Sequence, residues 1–184
     1  MYKRSLKHPI TALIIAVITC GFALVLNTQV KLGERVQAVE DGFFTSVAGE
    51  RSIYSRLSEK LDASNGLWTI LESVDSAAAE ELSVSRSALL TAYESRDIAA
   101  MADANAWLDT AFSAAEAALE GAELSDSQQK ALESYVTNYE GATKMIEQNS
   151  YNSSVLEFMR SVYNKFPAAR LAAFAGVEPP VSFE

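Results

Sequence analysis

The chain has 184 residues, of which 49% are hydrophobic and only 8 are glycine and 4 proline, a composition typical of a helical protein with a substantial core. The formal net charge is -9, and all 24 acidic residues follow Gly33, which argues against a nucleic-acid partner. The single cysteine, Cys20, and the single histidine, His8, precede the acidic region, so residues 27–184 can contain no internal disulfide, no Cys/His zinc site and no Ser–His–Asp triad.

Residues 10–26 form an uncharged apolar run that predicts a transmembrane helix. At roughly 1.5 Å per residue this run spans about 25 Å, near the lower limit for crossing a bilayer core. Two alternatives remain open, a cleaved signal peptide and a lipoprotein anchor at Cys20. We expect a basic N-terminal tail (1–9), the transmembrane helix (10–26) and a helical bundle domain (27–184) that ends in a short tail from about residue 177.

The charges that flank the apolar run indicate its orientation in the cell membrane. Lys3, Arg4 and Lys7 precede it, whereas Lys31 and Arg35 follow it. Because cytoplasmic flanks carry the excess of Lys and Arg, the sequence favours a cytoplasmic N-terminus and an extracytoplasmic bundle. The opposite orientation stays open as the alternative.

The first helix is predicted to continue well beyond the bilayer. Apolar residues recur at spacings of three, four or seven from Leu32 to Leu61, which places them on one face of a helix. Residues 62–66 contain Asn-Gly and predict the turn that ends this helix. A second helix is expected to begin near Leu67 and to end at a break over residues 95–97.

The next two helices carry recognisable start and stop signals. Asp97 is predicted to cap the third helix, whose alanine-rich apolar face continues as far as Gly121. Ser125 and Gln128 form a capping-box pattern at the start of the fourth helix. No residue breaks that helix before Pro167, so it is predicted to be roughly 40 residues long.

Short connections between long amphipathic helices predict antiparallel neighbours. We therefore expect an all-α fold, in which an N-terminal transmembrane helix is continuous with an antiparallel three- to four-helix up-and-down bundle of long helices. The packing is expected to resemble that of a coiled coil, with the first and last helices paired over most of their length.

Several short motifs resemble the LemA family. The C-terminal third carries Tyr-Asn at 151–152, Phe-Pro at 166–167, a small-residue segment at 173–177, and a terminal aromatic residue, Phe183. Residues 26–32 are similar to the family's junction between its hydrophobic span and its first helix. The resemblance implies a bacterial, membrane-anchored helical bundle with no established enzymatic activity. One branch of the family is associated with magnetosome membranes.

Six residues are candidates for an interaction surface or for fixing the register of the helices. Tyr151 and Asn152 are predicted to form either a polar layer that hydrogen-bonds across the bundle or a recognition surface. The Phe-Pro pair is predicted to end the fourth helix and turn the chain back. The aromatic residues of the tail either fold back on the bundle or dock into a partner. The candidates are Tyr151, Asn152, Phe166, Pro167, Phe174 and Phe183.

No catalytic, cofactor-binding or metal-binding residue is expected. The heptad-spaced Glu133, Glu140 and Glu147 could hold a hard cation, but a solvated stripe is the favoured interpretation. The sequence therefore predicts a non-enzymatic scaffold or interaction module that binds other membrane proteins or further copies of itself. The alternatives are an accessory ligand-sensing bundle and, less favoured, a hydrolase that uses only carboxylates.

Overall fold

The structure, a computed structural model, describes residues 9–46 and 49–183, and every regular element within them is helical. The predicted all-α fold is therefore confirmed. A π-helical turn, Met159–Tyr163, extends the sixth of seven α-helices. The helices are α1 (Pro9–Phe44), α2 (Ile53–Leu71), α3 (Ser76–Ser95), α4 (Ile98–Leu119), α5 (Asp126–Glu147), α6 (Tyr151–Phe158) and α7 (Ala168–Ala175).

The chain divides into two compact units. The described residues of the first unit are 9–38 and 156–180, and those of the second are 39–46, 49–155 and 181–183. The second unit therefore contains the last three described residues, although the 25 residues that precede them in the chain belong to the first.

The helix α1, whose residues 9–38 belong to the first unit, is long and apolar enough to cross a membrane. From Ala12 to Phe44 the most apolar 18-residue window of α1 has a mean hydropathy of 2.1, and none of that window is buried. Further along α1, Leu32 and Val36 are buried. In the C-terminal part of the unit, Tyr163 donates a hydrogen bond of 2.6 Å from its Oη to the carbonyl of Val177.

The second unit is a helical bundle in which α2 contacts α3, α4 and α5, and α3 contacts α4. The expected pairing of the first and last helices over most of their length is found only in part, between α2 and α5, which are pieces of those two predicted helices and run antiparallel. Lys60 lies against Tyr139, and Asn149 bonds the carbonyl of Arg51. Leucine dominates the core, where the fully buried large side chains include Leu57, Leu67, Leu71, Leu82, Leu89, Met101 and Leu108.

Side-chain caps begin four helices of the bundle, α2 to α5, because they satisfy backbone N–H groups that have no partner within the helix. Asp75 accepts hydrogen bonds from the N–H groups of Ala77 and Ala78 at the start of α3. Asp97 caps α4, as predicted, by accepting from Ala100. The predicted capping box of Ser125 and its partner three residues later is also formed, at the start of α5.

The prediction that the first helix runs unbroken to Leu61 is wrong. The helix ends at Phe44, and α2 begins anew at Ile53. Gly49 has a φ of 89°, a left-handed conformation that a helix cannot include, and Ser52 caps α2 by accepting from the N–H of Ser55. Val47, which the apolar pattern placed on the same helical face, lies outside the described residues.

The predicted turn at residues 62–66 is also wrong, because α2 continues through it to Leu71. The second predicted helix therefore begins at Ser76 rather than near Leu67. Gly66 serves close packing rather than termination, since a Cβ atom at this position would overlap the ring of Tyr135 on α5.

The fourth predicted helix is interrupted as well. It ends at Glu147 and resumes as α6 at Tyr151, instead of continuing to Phe166. Asn149 causes the break, because its Oδ1 accepts a 2.9 Å hydrogen bond from the N–H of Tyr151 and so replaces a helical carbonyl. This break lies opposite the one before α2, where the Asn149 amide donates to the carbonyl of Arg51 over 3.2 Å.

Candidate functional site

The start of α6 is fixed by its neighbours in the second unit. Asn149 bonds both the N–H of Tyr151 and the carbonyl of Arg51, and Ser150 donates from its Oγ to a carboxylate oxygen of Glu50 over 3.1 Å. These contacts hold the first turn of α6 against the segment that precedes α2. Tyr151 and Asn152 are therefore presented from a firmly positioned helix end.

The C-terminal residues 181–183 bind along this helix end. The Asn152 amide makes two hydrogen bonds to the Phe183 backbone: its Nδ2 donates to the carbonyl over 2.7 Å, and its Oδ1 accepts from the N–H over 2.8 Å. Tyr151 Oη donates to the carbonyl of Val181 over 2.5 Å, and the N–H of Val181 donates to Glu40 Oε1 over 3.2 Å. Four side-chain contacts thus satisfy the backbone of two alternate tail residues.

An aromatic pocket receives the side chain of Phe183, which is buried. Its ring centroid lies 5.3 Å from that of Phe43, and Tyr151 meets Phe43 edge-to-face with centroids 5.4 Å apart. Burying a phenylalanine is worth roughly 1.5–3 kcal/mol, and each aromatic pair adds about 0.5–1.5 kcal/mol. We call the surface formed by Glu40, Phe43, Tyr151 and Asn152 the tail cleft.

The tyrosine of the tail cleft is held in its protonated form. Burial raises the pKa of Tyr151, and the nearby carboxylate of Glu40 raises it further. The phenol therefore remains a hydrogen-bond donor to Val181 at physiological pH. The hydrogen bonds of the cleft are made to backbone groups of the tail, which every residue carries. Specificity for a particular side chain therefore comes only from the aromatic pocket.

A second polar cluster lies inside the bundle of the second unit. The ammonium of Lys60, whose side chain is 0% exposed, donates to Asn105 Oδ1 and Asp109 Oδ1, each over 2.5 Å. Tyr139 Oη donates to the same Asp109 oxygen over 2.7 Å, and Asn105 Nδ2 donates to Asp109 Oδ2 over 3.0 Å. Asp109 is thus held by three donors from α2, α4 and α5.

Burial governs the ionisation of this cluster. Desolvation lowers the pKa of Lys60, while the charges of Asp109 and Glu147 partly restore it. Desolvation raises the pKa of Tyr139, and the negative charge of Asp109 raises it further. The Tyr139 ring also stacks on Phe112 with centroids 3.6 Å apart and lies 4.7 Å from the Lys60 ammonium, an arrangement that favours a cation.

A cavity of about 350 Å³ lies between this cluster and the tail cleft. Both belong to the second unit, and the cavity is lined by members of each, including Lys60, Asp109, Asn152 and Phe183. Thr143 and Glu147 supply further polar groups at its wall. The space is large enough for a small polar molecule. Among the described residues, no group of three or more His, Cys, Asp or Glu is arranged to hold a metal ion.

The structure brings together three of the six predicted candidates. Tyr151, Asn152 and Phe183 meet in the tail cleft, although Asn152 and Phe183 are 31 positions apart in the sequence. Of the two interpretations of Asn152, a polar layer across the bundle and a recognition surface, the structure does not form the first: the amide binds the tail backbone, because Asn152 lies at a helix end rather than in mid-helix. Phe183 folds back, as one of the two interpretations proposed.

The other three candidates lie in the first unit. The chain bends between Tyr163 and Ala168, and this bend includes Phe166 and Pro167. Phe166 is 84% exposed and Phe174 is 79% exposed, so neither folds back on a core.

Sequence reasoning missed the charged cluster. Lys60 lies seven residues after Ile53 and seven before Leu67, both fully or almost fully buried, and this spacing places it on the apolar face of α2. A lysine on an apolar stripe is therefore the signal that could have revealed it. Its partner, Asp109, carries no comparable signal, because it is partly exposed and follows Leu108 on α4.

No protein-family model matches the sequence, and comparisons with curated proteins and with solved structures also give no match.

Proposed function

We propose that this chain is a membrane-anchored, non-enzymatic interaction module and that the tail cleft is its recognition site. The observation that carries the proposal is the double hydrogen bond between the Asn152 amide and the Phe183 backbone, beside an aromatic pocket. Backbone-directed bonds to an extended segment, combined with a pocket for one side chain, are a common mode of peptide recognition.

The expected partner is the same segment from a second copy of the chain. Every copy carries a tail of the right chemistry, and exchange of identical segments is a simple route to self-association. The 25 residues between Val155 and Val181 belong to the other compact unit, so the tail and its cleft are joined through a separately packed segment. Membrane anchoring by α1 would raise the local concentration of copies and favour this exchange.

The LemA-like relationship is part of the same proposal. The Tyr-Asn pair and the terminal aromatic residue carry much of the resemblance, and in the tail cleft Asn152 binds the Phe183 backbone while Tyr151 binds Val181, two residues before it. A shared tail-binding role would explain why such distant positions form one motif.

Peptide binding to the full-length chain tests the proposal. In Phe183→Ser the chain's own tail loses its anchor, so an added fluorescent peptide with the sequence of residues 179–184 should bind the vacated cleft. Asn152→Ala in the same background should weaken this binding at least tenfold, because about 1.4 kcal/mol of hydrogen bonding is lost. Asn138→Ala, on the exposed surface of α5, is the matched control.

Fluorescence anisotropy in detergent micelles gives the affinities. Equal binding by the Asn152→Ala and Asn138→Ala variants would contradict the proposed site. Equal binding of a peptide whose own phenylalanine is replaced by serine would contradict the role of the aromatic pocket.

The cavity favours ligand sensing as a second candidate function. Its lining residues include Asn105, Thr143 and Glu147, whose polar side chains supply both donors and acceptors for a small polar molecule. Phe183 and Asn152 line the same space, which would couple an occupied cavity to the position of the tail.

A thermal-shift screen of small polar molecules distinguishes this candidate. A true ligand should raise the Tm of the full chain but not that of Ile146→Phe, which fills the cavity without touching the charged cluster. If every active compound shifts both proteins equally, the cavity is not the binding site.

A further inference from the structure

The C-terminal part of the first unit carries an exposed aromatic and basic surface that the proposed function does not use. Phe166 and Phe174 are the two most exposed large hydrophobic side chains in the part of the chain that the structure describes. Exposed apolar groups of this size require an explanation, because water solvates them poorly.

Cations alternate with these aromatic residues along the chain. From Phe158 to Val177 the chain contains three cations, Arg160, Lys165 and Arg170, and no acidic residue, whereas the whole protein has a net charge of -9. All three are exposed, and none of them forms an ion pair within residues 9–46 and 49–183.

The short helix α7 has one exposed face, which belongs to this surface, and one buried face. Ala172 and Ala175 are buried, whereas Arg170 and Phe174 are exposed and lie one turn apart on the same face. A face that combines aromatic rings with cations is typical of helices that lie in the head-group region of a bilayer.

The surface belongs to the same compact unit as the apolar part of α1. Leu32 and Val36 are buried, so α1 is covered by protein at these positions, and residues 156–180 are the rest of that unit. Leu32 and Val36 follow the uncharged run ending at Leu26 by six and ten residues, which corresponds to about 9 and 15 Å along a helix. Residues packed at that height lie close to the membrane surface if α1 spans it.

We infer that Phe166, Phe174 and the cations Arg160, Lys165 and Arg170 form a second membrane contact, which we call the interfacial patch. It rests in the head-group region of the bilayer that holds α1 and prefers anionic lipid. The inference relies on the proposed anchoring by α1. The nearest acidic residues are Glu157 and Glu178, one at each end of this segment, so the cations still outnumber the carboxylates by three to two from residue 157 to residue 178. More distant acidic groups weaken the attraction little, because charges more than roughly 8–10 Å apart are screened at physiological ionic strength.

Site-directed spin labelling of the full chain in nanodiscs tests the patch. In a Cys20→Ser background, single labels are placed at Ala173→Cys, beside the patch; at Phe22→Cys, within the apolar run; and at Val84→Cys, on exposed α3. Accessibility to a lipid-soluble and to a water-soluble relaxation agent is compared in phosphatidylcholine discs with and without phosphatidylglycerol.

The label at Ala173 is expected to favour the lipid-soluble agent, and to do so more strongly in the discs that contain phosphatidylglycerol. The label at Val84 should favour the water-soluble agent in both. Replacing Phe166 and Phe174 together by serine should move Ala173 to the aqueous pattern while leaving the label at Phe22 in lipid.

Three results would overturn the inference. If the label at Ala173 is as accessible to the water-soluble agent as the label at Val84, while the label at Phe22 remains in lipid, the interfacial patch does not contact the membrane, although α1 does. If Phe22 is also accessible to water, both the anchoring and the patch fail. If Ala173 is shielded from both agents, protein covers the surface rather than lipid.

Discussion

At the scale of single residues, the most unusual feature is the fully buried ammonium of Lys60. The free energy of desolvating a buried ion pair is nearly as large as the attraction between its two charges, so such pairs add little net stability. Removing one partner is a different matter, because the other charge then remains buried without compensation. The two partners here are unequal, since the Asp109 side chain is 36% exposed.

We therefore expect Asp109→Ala to destabilise the protein by about 3 kcal/mol, the lower end of the usual range because water reaches this site. Lys60→Met should cost about 1 kcal/mol or less, since Asp109 keeps its hydrogen bonds from Tyr139 and Asn105. Denaturant unfolding of the full chain in detergent measures both changes. Equal losses for the two variants would show that the burial of Lys60 is not the dominant cost.

The buried tyrosines predict a specific dependence on pH. The folded-state pKa of Tyr139 lies above its ordinary value of 10.0, so the stability gained from keeping the phenol protonated is complete below pH 10 and is lost as the pH rises above it. Tyr139→Phe should be less stable than the wild type at neutral pH, because the bond to Asp109 is lost. The difference should shrink above pH 10, where the unfolded wild-type phenol ionises.

Thermal unfolding followed at several pH values measures this difference. Trp68→Phe, which removes no ionisable group, is the control for a general alkaline effect. A gap between wild type and Tyr139→Phe that stays constant through pH 10 would contradict the proposed environment of the phenol.

At the scale of helices, local chemistry predicts much of the fold. The caps at Asp97 and Ser125 and the apolar face of α4 follow from the sequence, because each depends on residues within one or two turns. The same reasoning fails where the decisive partner is distant. Asn149 breaks a helix by binding a backbone N–H two residues on while its amide binds Arg51, and no local pattern reveals that second contact.

The role of a glycine is likewise hard to predict when it depends on a partner that is distant in the sequence. Asn65-Gly66 is a turn signal by composition, but the structure uses Gly66 inside α2 to let Tyr135 approach. The tail cleft was only partly predictable for this reason. Tyr151, Asn152 and Phe183 were identified as candidates from the sequence. Their meeting in one cleft depends on a tail that folds back to contact a residue 31 positions earlier in the chain, which no local pattern predicts.

Two glycine-to-alanine variants test the packing of α2 on α5. Gly66→Ala should destabilise the chain by about 1–3 kcal/mol, because the added methyl group overlaps the Tyr135 ring. Gly141→Ala, which meets nothing within 4 Å on α5, should instead stabilise it by roughly 0.5–1 kcal/mol.

The Tm values of the two variants should therefore move in opposite directions. Adding Tyr135→Ala to Gly66→Ala should recover much of the loss, since the overlap is removed. A stabilising effect of Gly66→Ala alone would show that α2 and α5 are not in close contact at this point.

At the scale of the whole molecule, the apolar run of α1 is the feature on which the proposed location depends. Arginine near the centre of a membrane span costs about 2.5–3.5 kcal/mol, so Ile14→Arg with Ile18→Arg should release a large share of the chain from membranes. The same change at Val84 and Leu90, exposed apolar residues of α3, should leave it bound. Alkaline extraction followed by sedimentation measures the bound fraction, and release of both double variants alike would argue against a spanning α1.

The most direct test of the account joins the anchor and the cleft in one experiment. Phe183 is replaced by a photoreactive phenylalanine analogue in the full chain, intact membranes are illuminated, and the membrane fraction is collected after alkaline extraction. The cross-links are then mapped by mass spectrometry. The account predicts membrane-retained cross-links to peptides that contain Phe43 or Tyr151, from the same copy or a second one. Cross-links confined to other surfaces, or a cross-linked chain found in the soluble fraction, would contradict it.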